Sequence, residues 1–407
     1  MTIRINAYRL HSSLQELALV GATAGGGVTR LALSDEDRAG RDLLGQWMRE
    51  AGLVVTVDDL GNMVGLRSGR TDQPPVLLAS HIDTVVKGGK YDGALGVLAA
   101  VEVVRTLNDH GIEIEKPIAV VNWTNEEGVR FEPAMTCSGA VAGRMRREYV
   151  YERVDRDGKR FEDELRRIGY LGEEANRPLP ASACLELHVE QGPVLEDLGR
   201  PVGVVGGIVG ITWSEVTITG HADHAGPSPM HLRRDALVAA AVIIQHVERI
   251  ATMEDDVAVA TVGRVSVEPN VINTIPGRVT FSVDFRHPDS KTLEGQVARL
   301  EALVEHVCSE RGVAGEINRF WTSEPTPFDT GVISAIEEAA ADVGVEYGEL
   351  WSGAGHDAKY MADVCPTGMI FARSKGGLSH CEEEETSPED IEAAANVLLG
   401  AALRLSS

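Results

Sequence analysis

Apolar and polar positions along the first half of the chain change period in a way that predicts alternating helices and strands. From Asp35 to Ala51 the apolar residues Leu43, Leu44, Trp47 and Met48 recur at helical spacing, with Ser34 as N-cap and Gly52 as stop. Leu53–Val57, Met63–Leu66 and Val76–Ala79 are short apolar runs bounded by Gly, Asp and Pro, as strands are. Gly93–Leu107 returns to helical spacing, and Pro117–Trp123 and Cys184–Val189 predict further strands. The Gly/Val-rich stretch Pro201–Gly210 reads as a connection between domains.

Beyond it the pattern becomes strand (Ile211–Thr219), helix (Arg234–Met253), strand (Val257–Val267), strand (Arg278–Arg286), helix (Asp289–Arg311) and strand (Gly315–Trp321). This βαββαβ order suits a small open sheet covered by two helices on one face. Within the third strand Val279, Phe281, Val283 and Phe285 alternate with Thr280, Ser282, Asp284 and Arg286, so one face belongs to a core. An open sheet leaves an edge strand that a second subunit can cover. After Phe328 come a helix, the Gly-rich run Ser352–Asp357, the strand Gly368–Ala372 and a last helix capped at Ser387. The expected fold is α/β. A larger sheet domain with helices on both faces (residues 1–210 and 328–407) carries an inserted smaller α+β domain (residues 211–327) whose open edge suits dimerisation.

Composition excludes several classes. The 407 residues are 43% hydrophobic and 25% charged, as in an ordinary folded protein. With 38 Lys and Arg against 62 Asp and Glu the net charge is −24, which repels nucleic acid and anionic membranes. The five cysteines are scattered without a CxxC pair, so neither a disulfide framework nor a zinc finger is expected and a reducing cytoplasm fits. No run approaches the ~20 apolar residues of a membrane span, and the first residues lack the pattern of a signal peptide. A soluble, cytoplasmic, unprocessed protein is expected.

Polar groups gather where strands end. His81 and Asp83 follow the run Val76–Ala79, and such an Asp can orient a metal-binding imidazole; the plainer alternative is a hydrogen-bonded strand-end pair. Asp92 precedes a helix, where it is either an N-cap or a carboxylate shared between two cations. Glu126 and Glu127 follow the strand ending at Trp123, so one can bind metal while the other faces water, unless both form a solvated turn. Glu186, His188 and Glu190 alternate along one face of a strand, and His380 follows Gly376-Gly377. His81, Asp92, Glu127, His188 and His380 are the nitrogen and oxygen donors that zinc-type cations accept, and five suit two ions sharing a carboxylate. In the inserted segment the run Gly220–Gly226, the loop Asn270–Pro276 and Arg286 supply an imidazole, an amide and a guanidinium suited to an oxyanion, a neutral polar group and a carboxylate, unless each is simply a surface residue.

Taken in order, SHIDTV, YDGALGV, NEEGVRF, ELHVEQGPVLE, GHADHAGPSPM, NVINTIPG, SVDFRHP, WSGAGHDA and GGLSHCEEEET resemble the hydantoinase/carbamoylase branch of the dinuclear metal aminoacylase-carboxypeptidase superfamily. The resemblance implies one metal held by His81 and His380 and the other by Glu127 and His188, with Asp92 bridging. Two divalent ions are implied, zinc first, with manganese, cobalt or nickel as alternatives. Glu126 would be the general base, Asp83 the partner of His81, and Gln191, Asn273 and Arg286 substrate-binding residues. His224 resembles a lid histidine that reaches the partner subunit's site in a homodimer. The implied reaction releases amino acid, carbon dioxide and ammonia from a small anionic N-carbamoyl-L-amino acid. β-Ureidopropionase and allantoate amidohydrolase chemistry are alternatives within the class, and a non-catalytic dimeric small-molecule-binding protein is an alternative outside it. Cys381, where relatives more often carry Ser, and Arg373 and Lys375 depart from the pattern.

Overall fold

A computed structural model describes residues 3–253, 255 and 257–407; residues 1 and 2 of the larger expected domain lie outside the described residues. The chain forms two compact units, Met1–Gly207 with Phe328–Ser407, and Ile208–Pro327. In chain order the first unit opens with strands β1 (Val54–Val57), β2 (Met63–Arg67), β3 (Val76–His81), β4 (Ile118–Trp123), β5 (Ala183–Val189) and β6 (Val202–Ile208). The second holds β7 (Gly210–Thr219), β8 (Asp223–His224), β9 (Val259–Thr261), β10 (Val265–Glu268), β11 (Thr274–Ile275), β12 (Arg278–His287), β13 (Ala314–Ser323) and the short β14 (Thr326–Pro327). Strands β15 (Tyr347–Ser352) and β16 (Thr367–Ala372) return to the first unit.

In the first unit β1, β2, β4, β3, β5, β16 and β6 lie side by side, and β15 pairs with β6. The central strands β4, β3, β5 and β16 are parallel, and they are buried on both faces. That burial explains their continuous apolar runs. Val76, Leu78, Leu185 and Leu187 pack with the helices Ala94–Asp109, Thr330–Val343 and Pro388–Leu405. The alternate residues Leu77, Ala79 and Cys184 pack on the other side with Phe131, Phe161, Leu165 and Met361. Ser34 caps the helix Asp35–Glu50 by accepting from the Asp37 amide, and Ser387 caps the last helix through Asp390.

Two expectations are corrected here. Pro201–Gly210 is not a bare connection: Val202–Ile208 is a strand of the main sheet, antiparallel to β16. Its glycines are used for close approach, since a Cβ on Gly203 would lie 2.6 Å from the Leu350 side chain. Val257–Val267 is not one strand but two, β9 and β10, both antiparallel to β12. The break falls at Gly263-Arg264, where the Arg264 carbonyl still accepts from the Ser282 amide.

In the second unit the sheet runs β10, β12, β7, β13, with β9 also on β12. The alternation along β12 holds: Val279, Phe281, Val283 and Phe285 are buried against the helices Ala236–Thr252 and Ser290–Arg311. The other face is half-buried along β12, and on it the exposed rings of Trp213 and Trp321 meet at 4.6 Å. No described helix is long and apolar enough to cross a membrane. Among the described residues all five cysteines are free.

Candidate metal centre

Strand register brings the first two imidazoles together. On β3 and β5, Val76 pairs with Ala183 and Leu78 with Leu185, and the same offset sets His81 level with His188 at the carboxyl ends of adjacent parallel strands. Both fall on the face of Leu77 and Cys184, and their rings stack at 5.7 Å. Each ring directs Nδ1 at a backbone carbonyl 2.9 Å away, Asp83 for His81 and Val189 for His188. With Nδ1 engaged by a carbonyl, Nε2 of each ring is the nitrogen turned toward the centre, where a cation would take the place of its proton.

Between them stands Asp92. The N-cap of the helix Ala94–Asp109 is Gly93, with no side-chain cap, so the Asp92 carboxylate is left for other use. Its Oδ1 lies 3.1 Å from His188 Nε2 and 3.7 Å from His81 Nε2. Its Oδ2 lies 3.3 Å from His380 Nε2, which is 3.5 Å from Glu127 Oε2. Where the resemblance implied His81 with His380 and Glu127 with His188, the structure gathers His81, Asp92 and His188 in one group of donors and Asp92, Glu127 and His380 in another. Neighbouring strands carry the first pair, whereas the second comes from two loops. Gly93 is held at φ 64, and a Cβ there would meet the His81 ring at 2.4 Å.

Glu126 and Glu127 follow β4 in a turn where Asn125 has φ 59. Glu126 is buried, with Oε2 3.6 Å from His81 Nε2. Asp83 acts differently from its expected part. Its carboxylate does not hold His81; it accepts the backbone N–H groups of Glu126 at 3.2 Å and Glu127 at 3.3 Å. Because β3 ends at His81, Asp83 has left the strand and does not share its face, and only its carbonyl reaches the imidazole.

Burial and mutual repulsion dominate the electrostatics. Burial, then the charges of Glu127 and Asp357, push Glu126 well above the ordinary carboxyl range, and burial with Asp92 does the same to Glu127. Burial raises Asp83 to about 7 and lowers His81 to about 4. Against its own burial, hydrogen bonds to His188 and His380 hold Asp92 well below its usual value. Buried His81 Nε2 and Glu127 Oε1 have no hydrogen-bond partner among the described residues. Buried donors left unpaired, in a set of imidazoles and carboxylates with excess negative charge, are what a pair of divalent cations would satisfy.

Sequence reasoning left out several residues around this centre. Glu384 accepts from the Tyr91 and Asp92 amides and from Ser379 Oγ, yet in sequence it is one of a run of four glutamates that reads as solvated surface. His356 is buried 4.5 Å from His188, ring edge to face, with Nε2 at Ser352 Oγ, and Asp357 accepts from Ser138. Their signal lay in the Gly-rich run, where a His-Asp pair among small residues marks close packing. Of the alternating acids on β5, Glu186 accepts from Ser80 Oγ and the Ala358 amide, while Glu190 lies beyond the strand and accepts from the Val194 and Leu195 amides. Gln191, at φ 60, donates from Nε2 to Asp92 Oδ2 at 3.1 Å.

In the second unit His224 and Asn273 are neighbours: β8 pairs with β11 through His224 and Thr274, and the Ala225 amide donates to the Asn273 carbonyl. Arg286 is not with them. Along β12, Arg278 pairs with Thr219 beside that loop and Arg286 with Ile211 at the far end. Eight residue steps of extended strand are about 27 Å, so the expected trio does not form one cluster within a chain. The Arg286 guanidinium is paired with Asp284 at 2.8 Å.

Residues 77–404 match the family model described as Peptidase family M20/M25/M40, and the chain belongs to that family. Within it, the chain is 45% identical over 401 residues to an N-carbamoyl-L-amino-acid amidohydrolase of Rhizobium meliloti, covering 98% of this chain and 96% of the relative. It is 36% identical to an allantoate amidohydrolase of Bacillus subtilis, covering 95% and 94%. A crystal structure of a hydantoinase/carbamoylase family amidase from Burkholderia multivorans is 48% identical, with a TM-score of 0.96 over 100% of this chain and 99% of that one.

Proposed function

We propose that this chain is a metal-dependent amidohydrolase that cleaves the carbamoyl group of N-carbamoyl-L-amino acids to the free amino acid, carbon dioxide and ammonia. One observation carries the reading: two donor groups share the Asp92 carboxylate, and the buried Glu126 stands beside them. The similarity to the Rhizobium meliloti amidohydrolase over almost the whole of both chains supports the substrate class.

His81, His188 and Asp92 would hold one cation, and Asp92, Glu127 and His380 the other. Two divalent ions held there, zinc by this reading with manganese, cobalt or nickel as alternatives, would supply polarisation of the ureido carbonyl and a more acidic water. Glu126 takes a proton from the attacking water at its carboxylate and returns it to the departing nitrogen. Asp83 holds the Glu126 and Glu127 amides, and so the direction of both side chains. Gln191 Oε1 is buried without a hydrogen-bond partner among the described residues, and can accept an N–H of the ureido group.

His224 and Asn273 would contact the oxyanion and a neutral group, and Arg286 would exchange Asp284 for the substrate carboxylate. A small substrate cannot span the length of β12. A homodimer in which the inserted unit, as lid, lends His224 to the partner's site resolves that separation. A reducing cytoplasm suits five free cysteines.

Chelator-washed protein reloaded with each cation should release ammonia from N-carbamoyl-L-amino acids and not before reloading. No release from these, from N-carbamoyl-D-amino acids, from N-carbamoyl-β-alanine or from allantoate overturns the amidohydrolase reading. Release from allantoate alone favours the second reading, which the Bacillus subtilis relative supports; release from N-carbamoyl-β-alanine alone marks a β-ureidopropionase. Substrate binding that needs no cation and yields no ammonia marks a non-catalytic binder.

A further inference from the structure

The geometry points to Glu384 as the positioning residue that fixes Asp92 between the two donor groups and ties it to the loop bearing His380. This inference rests on the metal-dependent reading above. Glu384 is 4% exposed. Its Oε1 accepts the backbone N–H of Tyr91 at 3.2 Å and of Asp92 at 3.1 Å, and its Oε2 accepts from Ser379 Oγ at 2.8 Å. That hydroxyl also stands 3.4 Å from Asp92 Oδ2. One carboxylate thus holds the main chain of Asp92 on one side and the residue before His380 on the other.

The surroundings are shaped to it. A Cβ on Gly89 would lie 2.0 Å from Glu384 Oε1, so the loop before Asp92 folds round the carboxylate as only glycine allows. Gly88 and Val28 exchange both backbone hydrogen bonds, which braces the same loop from the other side. Next along the chain Glu382 accepts from Thr23, and a Cβ on Gly27 would meet its Cγ at 2.9 Å. Three stretches remote in sequence, Gly21–Val28, Gly88–Asp92 and Ser379–Glu384, are fastened together where the central carboxylate must be aimed. Among the described residues the hydrogen bonds of Glu384 go to the Tyr91 and Asp92 amides and to Ser379, not to the donor nitrogens, so it acts through Asp92 and Ser379.

Outer partners of metal ligands typically change cation affinity or activity by about 10- to 100-fold when removed. Chelator-stripped wild type, Glu384→Ala, Glu384→Gln and Ser379→Ala would be titrated with zinc and with cobalt by calorimetry. Thermal unfolding of the ion-free forms and kcat and KM of the loaded ones would be measured alongside. We expect Glu384→Ala to weaken at least one of the two cations about tenfold or more and to lower kcat with KM nearly unchanged. Glu384→Gln, which keeps an acceptor for the two amides, should recover part of both, and Ser379→Ala should lose less than Glu384→Ala. Wild-type isotherms for both cations in Glu384→Ala, even with a lower melting temperature, overturn the inference. If Glu384→Ala does not fold, unchanged isotherms and kcat in both Glu384→Gln and Ser379→Ala overturn it equally. Wild type that binds no cation overturns instead the metal-dependent reading on which this rests.

Discussion

His188 Nε2 lies 3.1 Å from Asp92 Oδ1, while the other nitrogen of the same ring is committed to the Val189 carbonyl. The Nε2 edge of that imidazole, which also accepts the Gly93 amide at 3.2 Å, therefore faces the first oxygen of Asp92, and His81 faces it too, at 3.7 Å. His380 addresses the second oxygen. Each histidine belongs to a definite half of the centre.

This division makes a prediction about paired substitutions. His81→Ala and His188→Ala should each remove the same cation, so the double variant should bind no less than either single one. His81→Ala with His380→Ala should lose both. Cation content after dialysis against a weak chelator checks it, and additive loss from the first pair would refute the grouping.

A second prediction concerns Asp83. Its two carboxylate oxygens accept from successive amides, whereas an Asn there can offer only one oxygen as acceptor. Asp83→Asn should keep both cations but lower kcat about tenfold or more, since it frees the turn bearing Glu126. Steady-state kinetics with cation analysis tests this, and an unchanged kcat would contradict it.

Gly93→Ala is a third. The positive φ and the 2.4 Å approach to the His81 ring leave no place for a methyl group. The substitution should cost more than about 1 kcal/mol of stability and weaken the cation at His81. Urea unfolding of the ion-free protein reads the first, calorimetry the second.

How much of this was legible in sequence depends on distance along the chain. The central parallel strands declared themselves because both their faces are buried, so apolar runs ended in the polar groups of the site. β6 was missed because its glycines, needed for packing against Leu350 and Phe371, look like a linker. The five donor residues were visible as types, but which of them meet depends on strand register and loop closure. Register sets His81 beside His188; loop closure sets His380 beside Glu127, and no local pattern encodes it. Glu384 was hidden for the opposite reason, as a buried acid inside an acidic run.

Asp58 offers a test of the fold apart from the site. Burial raises its carboxyl to about 6 from the ordinary 3.8, against its hydrogen bonds from Asn62 and the Leu60 amide. A carboxyl raised in the folded state favours folding below its unfolded pKa, and that contribution is lost as pH rises through the folded value. Relative to Asp58→Asn, wild type should therefore lose about 3 kcal/mol between pH 3.8 and pH 6 and change little above. Urea midpoints of both ion-free proteins across that window measure it; a gap moving the other way would contradict the sign.

Glu126 moves the proton while other residues hold the cations. Ammonia release from an N-carbamoyl-L-amino acid, compared between wild type and Glu126→Gln carrying the same measured cation content, tests it most directly. Both proteins should carry two cations per chain, and the variant's rate should be lower by about 10²- to 10⁴-fold. Equal rates at equal cation content would contradict it.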